Sequence, residues 1–243
     1  MYQPRTYRHW IKEGDLVSFN VTVKETDLYL RAQKSLKEEA LKAVLKYRAA
    51  LERYIERHRN FLTALEPLPV AEDAPQMVRE MAEAAQRAGV GPMAAVAGAI
   101  AEGVGRELMK LSPEVIVENG GDIFLNILRG RTVGVYAGDS PFTGRIALQI
   151  EPEETPLGIC TSSGTVGPSL SFGRADAVIV LSPSAALADA AATAIGNLVK
   201  EAGDLPKGID FAQGIAGLTG VVIIKEDQMG VWGQVKLSPL EGG

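Results

Sequence analysis

Val115-Ile116-Val117-Glu118-Asn119-Gly120-Gly121-Asp122-Ile123-Phe124-Leu125-Asn126-Ile127-Leu128 is the stretch that decides the fold. Apolar, largely β-branched residues on both sides of two adjacent glycines read as strands, Val115 to Val117 and Ile123 to Leu128. Glycine takes φ > 0 without steric cost, so Gly120-Gly121 suits a hairpin turn between antiparallel neighbours. A turn does not by itself ask for Glu118, Asn119 and Asp122 around it. Oxygen-bearing side chains beside bare backbone also suit a ligand, and both readings stand at this point.

Working outward, Thr132 to Tyr136, Ile146 to Ile150, Gly158 to Cys160 and Ala177 to Leu181 continue the series of strands. Gly217 to Lys225 and Val231 to Leu237 close it. Towards the N-terminus, Val17 to Val23 alternates apolar with polar residues as a half-buried strand does, and Asp27 to Ala32 is a second candidate. Ser35-Leu36-Lys37-Glu38 matches a capping box for a helix to about His58, with Leu41, Val44, Leu45, Arg48, Leu51 and Ile55 along one face. Asp73 is a candidate cap for a helix from Met77 to Ala88, which Gly89 ends. Gly91-Pro92 opens another helix, Met93 to Leu111. Ser182-Pro183-Ser184 starts one of about five turns that runs to Gly203. Helices grouped between runs of strands favour α+β with antiparallel sheets over alternating βαβ units, each long helix being buried on a sheet.

The chain has 243 residues, enough for a sizeable core in one large domain or two small ones. A formal charge of −5 without any basic block argues against nucleic acid as a partner. No apolar run approaches the roughly 20 residues of a membrane span, and Met1 to Arg5 lacks a signal-peptide core, so a cytoplasmic location is expected. Cys160 is the only cysteine, which excludes an intramolecular disulfide and suits a small buried apolar side chain. His9 and His58 suit surface or capping roles.

Two further segments share the composition of the glycine hairpin. Thr161, Ser162, Ser163, Gly164 and Thr165 combine hydroxyls with a glycine; the segment suits either a nest of amides for an anion or an ordinary polar turn. Asp189 and Thr193 stand four apart on one face of an alanine-rich helix. A carboxylate buried there must be paired, hydrogen-bonded or bound to a metal; a nearby Ser, Thr or backbone amide and Mg2+ are equal candidates. Gly98, Ala99, Ala101, Gly103 and Gly105 make the helix after Pro92 thin, with Glu102 as the only charge in that half. Each glycine costs about 1 kcal/mol against alanine in a helix interior, so the run calls for tight packing or a ligand. No phosphate-binding loop, dinucleotide fingerprint or zinc motif is present, and no catalytic residue is assigned.

Gly98 to Gly103 (GAIAEG), Asn119 to Ile123 (NGGDI), Thr161 to Thr165 (TSSGT) and Ala188 to Ala194 (ADAAATA) occur in the order seen in the ApbE flavin transferases. The chain resembles that family and is more similar still to a branch of uncharacterised ApbE-like proteins. In that branch the likeness extends to Val90–Glu102 and Ser171–Ala177. The resemblance implies a T-fold-like α+β domain over residues 1–243, with helices on antiparallel sheets and a cleft between two similar halves. The halves would be about 1–70 with the C-terminal strands, and about 71–203. It further implies Mg2+ held by Asp189, Thr193 and the Ala101 carbonyl, with Asn119, Gly120, Gly121, Asp122 and Thr161 to Thr165 lining a site for FAD, FMN or another nucleotide-like ligand. Binding without turnover, FMN transfer or FAD cleavage, and another small-molecule reaction in the same cleft are the functions it admits. A homodimer is the expected association, by analogy with other tunnelling folds. The likeness departs at Gly167 to Gly173, where the transferases carry a longer, histidine-containing stretch.

Overall fold

The computed structural model describes residues 15–165 and 172–240; His9 and Gly167 to Ser171 lie outside them. The chain opens with β1 (Val17–Val23) and β2 (Thr26–Ala32), followed by α1 (Lys37–Arg57), α2 (Asn60–Thr63), α3 (Gln76–Ala88) and α4 (Val96–Leu108). Next come β3 (Val115–Asn119), β4 (Asp122–Asn126), β5 (Arg131–Gly134), β6 (Ile146–Ile150), β7 (Leu157–Ser162) and β8 (Ala177–Ser182). The helices α5 (Ala185–Leu198) and α6 (Leu205–Gln213) lead into β9 (Gly220–Lys225), β10 (Gln228–Gly233) and β11 (Leu237–Pro239).

One eight-stranded sheet runs β1-β2-β3-β4-β7-β8-β9-β10, and a smaller sheet runs β11-β6-β5. Every pairing in both sheets is antiparallel, as the glycine hairpin implies. The central strands are buried on both faces, which explains their unbroken apolar runs. Val117, Phe124, Cys160, Val178, Val180, Val221 and Ile223 point into a core shared with the helices. Their neighbours Ile116, Ile123, Leu125, Ile159, Ile179, Leu181 and Val222 point the other way, onto Val133, Leu148 and Ile150 of the small sheet. The period-2 alternation of strand side chains thus builds three layers, helices, large sheet and small sheet, from central strands that carry no polar face.

Several local details differ from the sequence reading. Leu36, not Ser35, is the N-cap of α1, and no side chain bonds the helix end. Leu36 is buried, so its anchoring in the core sets where the helix starts. The buried stripe of α1 is Ala40, Ala43, Val44 and Leu51, while Leu41 and Leu45 face outward, because the alanines bring the helix close to its neighbours. Pro75, not Asp73, is the N-cap of α3, although Gly89 ends it as expected in the left-handed conformation. The helix after Pro92 starts as a 3-10 turn before α4 proper. The helix from Ser184, whose hydroxyl accepts from Leu187 N, stops at Leu198, and α6 follows as a separate element. Gly208 within α6 obscures its helical pattern, yet the glycine is buried where a Cβ would stand 2.7 Å from Ile223.

The thin face of α4 lies against α5. A Cβ on Gly98 would come within 2.2 Å of the Ala185 carbonyl oxygen, whereas one on Gly103 would meet only the Tyr47 ring, at 3.0 Å. Backbone cannot yield as a tyrosine ring can. We therefore expect Gly98→Ala to destabilise the fold by about 1–3 kcal/mol through overpacking, despite alanine's better helix propensity. Gly103→Ala should fall near zero. Urea denaturation of both variants checks this; equal effects would mean that the α4–α5 contact is not tight.

Candidate functional site

The site is assembled where α4 and α5 cross in opposite directions. Asp189 on α5 reaches the first turn of α4, its Oδ2 accepting from Gly98 N at 2.9 Å. Ala97 N also supports this carboxyl. In return, Glu102 on α4 reaches the first turn of α5. Its Oε2 accepts from Ala185 N at 2.8 Å, Ala186 N at 3.4 Å and Ser184 Oγ at 3.3 Å. Each helix therefore supplies the carboxyl group that accepts from the other's unpaired N–H groups. The absence of a side chain at Gly98 is what lets the two backbones approach this closely.

The glycine hairpin docks on the same point. Gly120 and Gly121 have φ of 69° and 111°, and Gly121 N donates to Glu118 Oε1 at 3.1 Å. Asn119 pairs with Asp122 across the turn, and its Nδ2 donates to Ala97 O at 3.1 Å, tying β3 to the start of α4. Asp122 turns toward β7, where Oδ1 accepts from Thr161 N at 3.2 Å. Cys160 is buried beside it, with its Sγ 3.3 Å from the Ala185 carbonyl and the thiol also bonding Asp122. The three segments that share this composition thus converge on the α4–α5 crossing.

Not every candidate residue joins them. Ser163, Gly164 and Thr165 curl toward Asp176: Gly164 N donates to Ala175 O at 2.9 Å, and Thr165 Oγ1 lies 3.3 Å from Asp176 Oδ1. With Gly164 N already bonded, this turn is less of an anion nest than its composition suggests. Ser162 borders Gly196 of α5. Ala101 is buried inside α4, and Thr193 keeps partial exposure one turn beyond Asp189. Glu102 is the residue whose role sequence reading missed. Its signal was present, as a lone charge in a run of small residues.

Burial governs the electrostatics. Asp122 is pushed up to about 7, chiefly by burial and further by Glu118, with the Thr161 amide and Cys160 thiol opposing. Asp189 is raised well above the usual carboxylate range, again by burial first and then by the proximity of Asp122. Burial likewise pushes the Cys160 thiol up, with Asp122 and Asp189 adding to the effect, so the thiol stays protonated. Asp122 thus sits between Glu118, which raises it, and Asp189, which it raises, a run of acidic groups in a dry setting. Among the described residues no three His, Cys, Asp or Glu side chains form a metal cluster. The donors at hand are hard oxygens, which suit Mg2+ with water and ligand oxygens completing its shell.

The architecture is that of the ApbE flavin transferases. The structure aligns with the Pseudomonas stutzeri flavinyl transferase ApbE at a TM-score of 0.56 and 16% identity, over 89% of this chain and 94% of that one. It aligns equally with a mutant of the Vibrio cholerae flavin transferase ApbE, at 0.56 and 14% identity, over 90% and 97% of the two chains. These likenesses establish the fold. The chain belongs to the family described as AbpE bacteria, whose model matches residues 8–207. It is 42% identical to a UPF0280 protein of Methanocella arvoryzae, over 88% of this chain and 87% of that protein. The UPF0280 protein MK0206 of Methanopyrus kandleri is 43% identical over 94% and 95%. The chain is thus an ApbE-like protein of the UPF0280 branch. Among its described residues no single helix is long and apolar enough to cross a membrane.

Asp122 makes stability depend on pH in an unusual direction. A carboxyl at about 7 in the fold, against 3.8 when exposed, retains its proton in the native state through that interval. Without a cation, stability should therefore fall as pH rises above about 4, with the Asp122 contribution complete near 7 and Asp189, also raised, acting in the same direction. Asp122→Asn should make this slope shallower in thermal melts between pH 5 and 8. An unchanged slope would show that Asp122 titrates normally.

Proposed function

We propose that this protein binds a flavin or another nucleotide-like ligand, together with Mg2+, in the cleft where α4, α5, the β3–β4 turn and the end of β7 meet. The observation that carries the reading is the buried pair Asp122 and Asp189. Burial raises both, and Asp122 raises Asp189 further, so a cation placed between them would favour their charged forms. Family membership supports it, since proteins of the same fold include flavin transferases.

Within this reading, Asp189 and Thr193, with the carbonyl of Ala101, hold the ion, and Asp122 lends a second negative charge nearby. Mg2+ when bound supplies positive charge against the carboxylates and the ligand's phosphates. The chain's own residues do the positioning. Glu102 fixes α5 at its first turn, Gly98 N orients Asp189, and Asn119 keeps the hairpin on α4. Gly120 and Gly121 leave backbone uncovered beside the acids; at Gly121 an added Cβ would meet nothing within 4 Å.

Asp189→Asn tests the reading directly. The amide oxygen still accepts from Gly98 N, so the melting temperature should change little, while the charge is gone. FAD binding followed by calorimetry with and without Mg2+ should show Mg2+-dependent affinity in the parent and at least a tenfold loss in the variant. Equal affinity in both would overturn the metal role. Release of AMP and FMN during the incubation would extend binding to cleavage.

A further inference from the structure

α5 is buried along almost its whole surface. Only Asp189, Thr193, Asn197 and Leu198 keep part of their area open. The first three are spaced at four and eight residues, so they form one stripe along the helix. The stripe starts at the buried carboxylate pair and covers about 13 Å of helix axis to Leu198. Partly open residues along one side of an otherwise closed helix fit an elongated ligand better than a compact one.

The far end of the stripe is built, and it is basic. Asn197 Oδ1 accepts from Phe172 N at 2.9 Å, and Arg174 N donates to Val199 O at 2.8 Å. Between them Gly173 presses on α5 so closely that a Cβ there would sit 1.7 Å from Gly196 O. The backbone of Phe172, Gly173 and Arg174 is thereby clamped to the helix end, and the Phe172 and Arg174 side chains project outward. With Lys200 and Glu201 they line an open pocket of about 430 Å3. Phe172 is 57% exposed. Arg174 and Lys200 have no ion-pair partner among the described residues, whereas the Glu201 carboxylate is engaged by the backbone of the following 3-10 turn. Two unpaired cations beside an exposed ring suit an anionic group attached to a planar or apolar one.

We infer that the ligand of this cleft carries a second anionic group, a phosphate or a carboxylate, which Arg174 and Lys200 receive at the C-terminal end of α5 while Phe172 covers the adjoining part of the ligand. This rests on the binding reading above and adds to it the length and charge pattern of the ligand. Mg2+ at the Asp189 end and the two cations at the other would hold an elongated molecule at two separated negative charges.

Two pairs of probes differ by one phosphate: coenzyme A against dephospho-coenzyme A, and NADP+ against NAD+. With Mg2+ present, the member with the extra phosphate should bind about tenfold tighter in at least one pair. The Arg174→Gln/Lys200→Gln double variant should lose that preference while FAD affinity and melting temperature hold. Equal binding within both pairs, or a preference that survives the double substitution, would overturn the inference. If FAD binds with Mg2+ but neither pair discriminates, only the second anion site falls. If no nucleotide binds with Mg2+, both readings fall together.

Discussion

Two carboxylates exchanged between two helix ends organise this molecule. Glu102 of α4 satisfies the first turn of α5, and Asp189 of α5 satisfies the first turn of α4. A helix N-terminus leaves several N–H groups without partners, and burying them unpaired would cost more than most single contacts supply. Here both ends are buried in the core, and each is made tolerable by a group on the other. The exchange requires the two backbones to touch, which Gly98 permits, and it fixes their mutual rotation. From that rotation follows which residues of α5 stay partly open, Asp189, Thr193, Asn197 and Leu198.

The second consequence is electrostatic. Capping places Asp189 next to the strand ends that carry Asp122, and burial then works against both charges. A fold selected for stability alone would be better served by apolar side chains at one of these positions, since unpaired buried carboxyls destabilise. Both acids are instead retained, each on a backbone amide and near enough for Asp122 to raise Asp189, which is what the proposed cation site requires. The hairpin glycines, the Asn119 tether and the protonated Cys160 thiol are all compatible with holding that pair still.

How much of this was legible in the sequence depends on the range of the interaction. The antiparallel fold could be read because Gly120-Gly121 sets a local turn and the apolar runs of β8 and β9 declare strands. The Ser184 cap and the Gly89 stop were equally local, and both were found. The start of α1 was misplaced because the burial of Leu36, a tertiary event, overrides a capping pattern. The exposed faces of Leu41 and Leu45 were misjudged for the same reason. At the site, the convergence of Asn119, Asp122, Thr161 and Asp189 was visible as shared composition, but the partners were not. That Asp189 meets Gly98 N, and Glu102 the start of α5, depends on a crossing between helices more than 80 residues apart. The turn at Ser163 to Thr165 bonds itself and Asp176, which no spacing rule foretells.

The most direct test is a carbon-13 titration of the Asp122 side-chain carboxyl by nuclear magnetic resonance, first without Mg2+ and then with Mg2+ and FAD. The expected midpoint lies near 7 without the ion and drops by more than one unit when ion and nucleotide are present, because a bound cation favours the charged form. An ordinary carboxylate midpoint in the metal-free protein, or a raised midpoint that Mg2+ and FAD leave unmoved, would contradict the claim that this buried pair is a cation site.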